Sequence, residues 1–142
     1  ALLYAADRAH HVATKVRPAL EAGTDVIIDR YLDSSVAYQG AGRALQADDV
    51  RAISMFAVEG LLPDLTILLD LDAAESLARR NKTGFEPDRL EREKLEFFEA
   101  VRAAYLEMAK SEPQRWLIVD ATASIEEMQQ IIRRRVDELL AK

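Results

Sequence analysis

The sequence predicts an α/β fold with a parallel sheet. Helix-period and strand-like segments alternate from end to end, and each strand-like segment is too uniformly apolar to have one wet face. Such alternation implies right-handed crossovers in a layered sandwich and excludes a helical bundle or an all-β fold. The first element is a helix over 2–22, with Ala5, Val12, Val16 and Leu20 at helical spacing, Gly23 as a left-handed stop, and a kink or restart at Pro18. A β-branched strand, Asp25-Val26-Ile27-Ile28-Asp29, follows. Two more strands stand at Leu65 to Asp70, after the turn signal Pro63-Asp64, and at Trp116 to Asp120, after Pro113. Val50, Ile53, Ala57 and Leu61 mark one intervening helix. Asp72 with Glu75 forms a capping box for a second, running to about Arg80, and the stripe Leu95, Phe98, Val101, Tyr105, Met108 marks a long third. The last helix opens on Ser124 and Glu127, a second capping box, before Ile125, Met128, Ile132, Val136 and Leu139. Residues 79–88, polar and containing Gly and Pro, read as a mobile loop, and no repeat or linker divides the chain, so residues 1–142 read as one domain.

At 142 residues, 49% hydrophobic and 31% charged, the chain has enough apolar material for one core and is not a disordered segment. A net charge of −6 argues against a broad grip on nucleic acid or an anionic membrane, so an anionic ligand must be held by a local basic cluster. With no cysteine there is no disulfide, thiol nucleophile or Cys-ligated zinc, and the adjacent His10 and His11 read as a solvated helix face. No apolar run approaches the length of a bilayer span and no signal peptide opens the chain, which favours a soluble cytoplasmic protein. The chain opens at Ala1, without an initiator Met, inside what reads as a helix, so sequence upstream is expected.

Open parallel sheets bind ligands beyond the carboxyl ends of their strands, and all three predicted strands end in aspartate: Asp29, Asp70 and Asp120. The competing reading is that each caps the loop or helix after it, as Asp72 does. Asp29 differs because Arg30 and Tyr31 follow, then Asp33-Ser34-Ser35 opens a short helix that holds Tyr38 and Gln39 and stops at Gly40. An arginine at a strand end beside a helix N-terminus is equipped for phosphate, with a structural salt bridge as the alternative.

Asp29-Arg30-Tyr31 followed by Ser34-Ser35-Val36-Ala37-Tyr38-Gln39-Gly40 resembles the DR(Y/F)xxSxxAYQG segment of bacterial thymidylate kinases. Leu3-Tyr4-Ala5-Ala6-Asp7-Arg8 is similar to that family's L(F/Y)xAxR helix, and the spacing between the two segments fits. Further likenesses lie at Gly60-Leu61-Leu62-Pro63-Asp64-Leu65-Thr66, at Asp88-Arg89-Leu90-Glu91 and at Val119-Asp120-Ala121, so the resemblance covers essentially the whole chain. It implies a three-layer P-loop kinase fold. It also implies transfer of a phosphoryl group from ATP to dTMP, giving ADP and dTDP, with Mg2+, in a homodimer. On this resemblance Tyr4 stacks on thymine and Arg8 donates to its O4, where cytosine presents a donor instead. Arg30 holds the acceptor phosphate, and Asp29 orients Arg30 or a magnesium-bound water. Ser35 and Gln39 match positions at the base edge, and Tyr38 matches the tyrosine beneath the sugar that excludes a 2′-hydroxyl; Asp7 stands where relatives often carry a small polar residue near the base, and Tyr31 and Ser34 read as packing and helix-start residues.

Residues 79–89 resemble the kinase lid, whose arginines serve as fingers on ATP, with Arg79 and Arg89 the candidates for catalysis and Arg80 beside them. A solvated charged face is the alternative for Arg80 and Lys82. Ala121, Thr122 and Ala123, after the last strand, flank adenine on this reading.

The chain departs from the family in one large respect. Its glycines, Gly23, Gly40, Gly42, Gly60 and Gly84, form no G-x-x-x-x-G-K-[ST] phosphate loop. The resemblance implies that this loop, its central strand, a second strand and a further phosphate-binding arginine lie upstream of Ala1. Without the central strand the segments ending at Asp29 and Asp70 are expected to face each other across a gap, so the 142 residues alone are expected to be unstable and inactive. Two alternatives remain open: a related nucleotide kinase of another base preference, and an inactive fragment that keeps only a nucleoside pocket or a dimer interface. A substrate panel of dTMP, dUMP, dCMP and AMP separates the first from a thymidylate kinase, and upstream sequence separates the second.

Overall fold

The computed structural model of the chain describes residues 1–40, 46–80 and 89–141. They group into two compact units, Ala1–Leu62 and Pro63–Lys142. In the first unit, α1 (Leu2–His11) continues through a π-helical turn (Val12–Val16) into α2 (Arg17–Glu21). The wide turn has a local cause. Pro18 has no N–H and its ring crowds the carbonyl one turn back, while the Arg17 N–H reaches past it to the Val12 carbonyl. Thr14 adds to the bend by donating its hydroxyl to the His10 carbonyl at 2.7 Å. The expected kink is therefore a bulge in one helix and not a restart. Gly23 ends it at φ 75°, with Gly23 N–H on Leu20 and Thr24 N–H on Ala19, both at 2.9 Å.

The strand expected at residues 25–29 does not form; among the described residues nothing pairs with it. Val26 and Ile28 pack onto a core of Val12, Val16, Leu32 and Val58, whereas Ile27 is 99% exposed. The β-branched run records a preference for extended backbone, but a ladder also needs a partner edge, which composition does not supply. Next come α3 (Leu32–Ser35), a second π-helical turn (Val36–Gly40), and α4 (Ala47–Ala57), which packs on α1, on α3 and on that turn. Leu61 was expected inside this helix. Instead the helix closes at Val58, because Glu59 (φ 51°) and Gly60 (φ 71°) turn left-handed and Gly60 N–H bonds the Met55 carbonyl at 3.1 Å. Arg17 holds the unusual Glu59 conformation, donating to the Val58 and Glu59 carbonyls at 3.2 and 3.3 Å and pairing with the Glu59 carboxylate at 3.3 Å.

In the second unit, β1 (Thr66–Asp70) pairs in parallel with β2 (Trp116–Asp120), in a register that sets Thr66 beside Trp116 and Asp70 beside Asp120. These are two of the expected strands in the expected direction. They are not buried on both faces: Ile67, Leu69 and Ile118 are 38, 54 and 47% exposed. The connection from β1 to β2 runs through α5 (Ala73–Arg80) and α6 (Arg89–Ser111), and α7 (Ile125–Leu140) packs on β2. Asp72 caps α5 by accepting from the Ala74 and Glu75 N–H groups at 2.9 and 3.3 Å. The expected stripe of α6 delivers Tyr105 edge-on to Trp116, ring centroids 6.2 Å apart, and buries Val101. At α7 the capping box is complete, Ser124 accepting from Glu127 N–H and Glu127 from Ser124 N–H, although Ile125 lies 65% exposed instead of on the packed stripe. The loop expected at 79–88 lies outside the described residues beyond Arg80, where α5 ends.

Gly40 has a steric reason to lack a side chain. A Cβ there would sit 2.9 Å from the Cβ of Ala47 and 3.0 Å from its Cα, at the first turn of α4. Gly40→Ala is expected to cost about 1 to 3 kcal/mol by overpacking, read as a lower Tm; an unchanged Tm would mean that this turn and α4 are not so tightly opposed.

Candidate functional site

Two groups of predicted site residues form, one in each unit. In the first, Arg8 projects from α1 and donates from Nη1 to the hydroxyl of Ser35 at 2.9 Å, linking α1 to α3. Ser35 is buried, as is its neighbour Asp33, so the bond is made at the edge of packed structure. The Arg8 guanidinium also lies over the Tyr31 ring, 5.6 Å from its centroid. Burial lowers the pKa of Arg8, partly offset by the charges of Tyr31, Asp7 and Asp33, so partial desolvation strengthens whatever that cation contacts.

Arg30 takes a left-handed backbone (φ 63°), which a side chain with a Cβ rarely adopts and which costs energy that the surroundings must supply. Its guanidinium lies over Tyr38, 4.9 Å from the ring centroid, and Nη2 donates to the phenol oxygen at 3.3 Å. The π-helical turn at 36–40 holds Tyr38 and Gln39 on short, wide-pitched backbone, and Gln39 Oε1 is buried without a hydrogen-bond partner among the described residues. Asp29 is exposed beside Arg30. Tyr4 stands one helical turn before Arg8 and is 64% exposed. It lines an apolar groove of about 530 Å³ with Leu2, Leu3, Val50 and Ile53.

In the second unit Arg79, at the end of α5, donates from Nη1 to the Ala121 carbonyl at 3.2 Å and pairs with Glu75 at 2.8 Å. Thr122 is fixed by Asp120, whose Oδ1 accepts from its N–H at 2.8 Å and its hydroxyl at 2.7 Å; these bonds, the side-chain one first, lower the Asp120 pKa. The capping reading is therefore right for Asp120. The structure thus brings Arg79, Ala121 and Thr122 together, while the side chains of Arg80 and Arg89 lie outside the described residues.

Asp70 does not cap. Arg102 grips it with a two-pronged bond, Nε at 2.7 Å and Nη2 at 2.9 Å, and reaches Asp72 at 3.1 Å. The Arg102 hydrogen bond lowers the Asp70 pKa; burial and then the charge of Asp120, which the register sets beside it, oppose this, and the net shift is downward. Sequence reading missed Arg102. Its signal was an arginine next to Val101 on a helix that returns to a strand ending Asp-x-Asp, visible only once the crossover is assumed.

The chain belongs to the thymidylate kinase family, whose profile, described as Thymidylate kinase, matches residues 1–132. The thymidylate kinase of Leifsonia xyli subsp. xyli is 64% identical over 137 residues, covering 96% of this chain and 65% of that protein. The thymidylate kinases of Clavibacter michiganensis subsp. michiganensis and Symbiobacterium thermophilum are 57% and 48% identical, covering 99% and 100% of this chain and 67% and 65% of their own lengths. The chain spans about two thirds of the length of these curated relatives.

Because Arg102 lowers the Asp70 pKa, the pair's contribution to stability is full above the ordinary carboxylate value, about pH 4. It is lost as pH falls through the depressed folded value. Arg102→Met is expected to destabilise the protein at neutral pH by about 1 kcal/mol, the scale for a partly exposed ion pair, and to flatten the loss of stability below that pH. Chemical denaturation between pH 3 and 7 measures both, and equal acid limbs in parent and variant would contradict the assignment.

Proposed function

We propose that the chain supplies the acceptor pocket, and the lid and adenine-side residues, of an enzyme that transfers the γ-phosphoryl group of ATP to dTMP. The complete protein would have the family's three-layer P-loop kinase fold. The observation that carries this reading is the Arg8–Ser35 bond: in a member of this family it joins the two segments that would face the base. A guanidinium carries several donors and Ser35 takes one, so Arg8 has donors to offer thymine O4. Among the described residues the buried Gln39 Oε1 has no donor, and thymine N3–H is a donor of the kind it would take. Cytosine reverses both groups, presenting an acceptor at N3 and a donor at C4, so two positions would discriminate together.

In this proposal Arg30 swings from Tyr38 to the acceptor phosphate. An exposed cation–π contact is worth roughly 0.5 to 1 kcal/mol, less than a charge-assisted phosphate bond. A phosphate oxygen of dTMP attacks the γ-phosphorus, the bond to the ADP oxygen breaks, and ADP leaves. Arg30 would oppose the charge on the acceptor phosphate; separately, Arg79 would act on the phosphates of ATP, with Arg89 and Arg80 as further candidates for that work. Ala121 and Thr122, held by Arg79 and Asp120, would flank the adenine. Tyr4 would stack on the base, and Tyr38 would close the space beside the sugar's 2′ position.

Magnesium normally takes one or two carboxylates and draws its other ligands from phosphates and water. The described residues gather no cluster of three or more metal-ligating side chains, and the exposed Asp29 fits the role of a single carboxylate near such an ion or its water. Mg2+ would neutralise the phosphate oxygens of ATP. The small-molecule partners are then dTMP and ATP, and the macromolecular partner a second copy met through α4, where Phe56 is 88% exposed. No described helix is long and apolar enough to cross a membrane.

Arg8→Ala in the purified enzyme is expected to weaken dTMP binding by on the order of 1.5 to 3 kcal/mol, the scale of a hydrogen bond to a charged group, and to erode discrimination against dCMP. Calorimetric titration with both nucleotides measures this. Unchanged affinity and unchanged base preference would remove Arg8 from the pocket.

A further inference from the structure

Tyr31 sits between the proposed base contact and the core. Its ring lies under the Arg8 guanidinium, 5.6 Å from centroid to Cζ, and packs against the cluster of Val12, Val16, Leu32 and Val58. Its hydroxyl donates to the Leu61 carbonyl at 3.1 Å. Leu61 directly follows the left-handed Glu59-Gly60 turn, which Arg17 pins by its carbonyls and carboxylate, so the acceptor is itself held in place. Tyr31 also precedes α3 with extended backbone, so the ring enters the core at a fixed point just before the helix that carries Ser35.

We propose that Tyr31 is a positioning residue for base recognition: its ring supports the Arg8 guanidinium from one side while Ser35 fixes its edge, and its hydroxyl, tied to Leu61, sets the height of that ring. The inference rests on the reading of Arg8 as the base contact. A guanidinium at the end of a long, flexible side chain loses much of its selectivity if it wanders, and two supports, the Tyr31 ring and the Ser35 hydroxyl, restrict it before any ligand arrives. Burial raises the pKa of the Tyr31 hydroxyl, which stays protonated and donating at working pH.

The test is a mutant cycle in the purified enzyme, with KM for dTMP, KM for ATP, kcat and Tm measured for Tyr31→Leu, Tyr31→Phe, Arg8→Met and the combined variants. Tyr31→Leu is expected to raise KM for dTMP on the order of 3- to 10-fold, the range open to a partly desolvated cation–π contact, with KM for ATP and kcat within about twofold. Tyr31→Phe, which keeps the ring, is expected to fall between it and the parent. In the Arg8→Met background neither Tyr31 substitution is expected to add more than about twofold, because its effect runs through Arg8. A full, multiplicative effect in that background overturns the positioning role and leaves Tyr31 a packing residue. If Tyr31→Leu does not fold, Tyr31→Phe passes through the same cycle with the same criterion. Arg8→Met alone with an unchanged KM for dTMP would overturn the base-contact reading itself, a different failure from the first.

Discussion

Leu32 is wholly buried against Val12, Val16 and Val58, and the proposed acceptor site depends on this contact. Those residues come from the π-helical turn after α1, the segment that opens α3, and the end of α4, three stretches far apart in the chain. Their burial fixes the positions from which Arg8, Ser35, Arg30 and Tyr38 project. Core side chains of this kind each contribute roughly 1.5 to 3 kcal/mol when buried, several times the exposed Arg30–Tyr38 contact at the rim. The left-handed Arg30 backbone lies two residues before Leu32. A polar cluster with cations over two tyrosines persists because the apolar contacts beneath it are stronger than the preferences it violates.

The second unit is organised around charge. Parallel pairing places Asp70 next to Asp120, and each carboxylate is satisfied differently: Asp70 by the forked guanidinium of Arg102, Asp120 by the N–H and hydroxyl of Thr122. The first bond ties α6 to the end of β1. The second shapes the loop after β2, to which Arg79 also bonds. The loop proposed to flank adenine and the arginine proposed to act on ATP are therefore already in contact, at the carboxyl ends of the strands, where open parallel sheets place their ligands.

Much of this was legible from local pattern. The two parallel strands, the long α6 stripe, the Gly23 stop and the Ser124–Glu127 box follow from period and capping chemistry, which neighbouring residues determine. What failed was non-local. Asp25 to Asp29 has the composition of a buried strand, yet pairing is a property of two segments and Ile27 lies in solvent. Leu61 continues the helical spacing of Val50, Ile53 and Ala57, but Glu59 in a left-handed conformation ends the helix, stabilised by an arginine some forty positions earlier. At the site, the resemblance pointed to Arg8 and Ser35 separately; that they bond to each other, and that Tyr31 lies beneath Arg8, came from geometry alone.

On the proposed reading, α1, α3 and the turn at 36–40 together form an acceptor-nucleotide pocket. Hydrogen–deuterium exchange of the purified protein, with and without dTMP and in the absence of ATP, tests it most directly. Slower amide exchange is expected in α1 near Arg8 and across residues 32–40, with α5 and the start of α7 unchanged. Protection confined to Pro63–Lys142, or none in either segment at saturating dTMP, would contradict it.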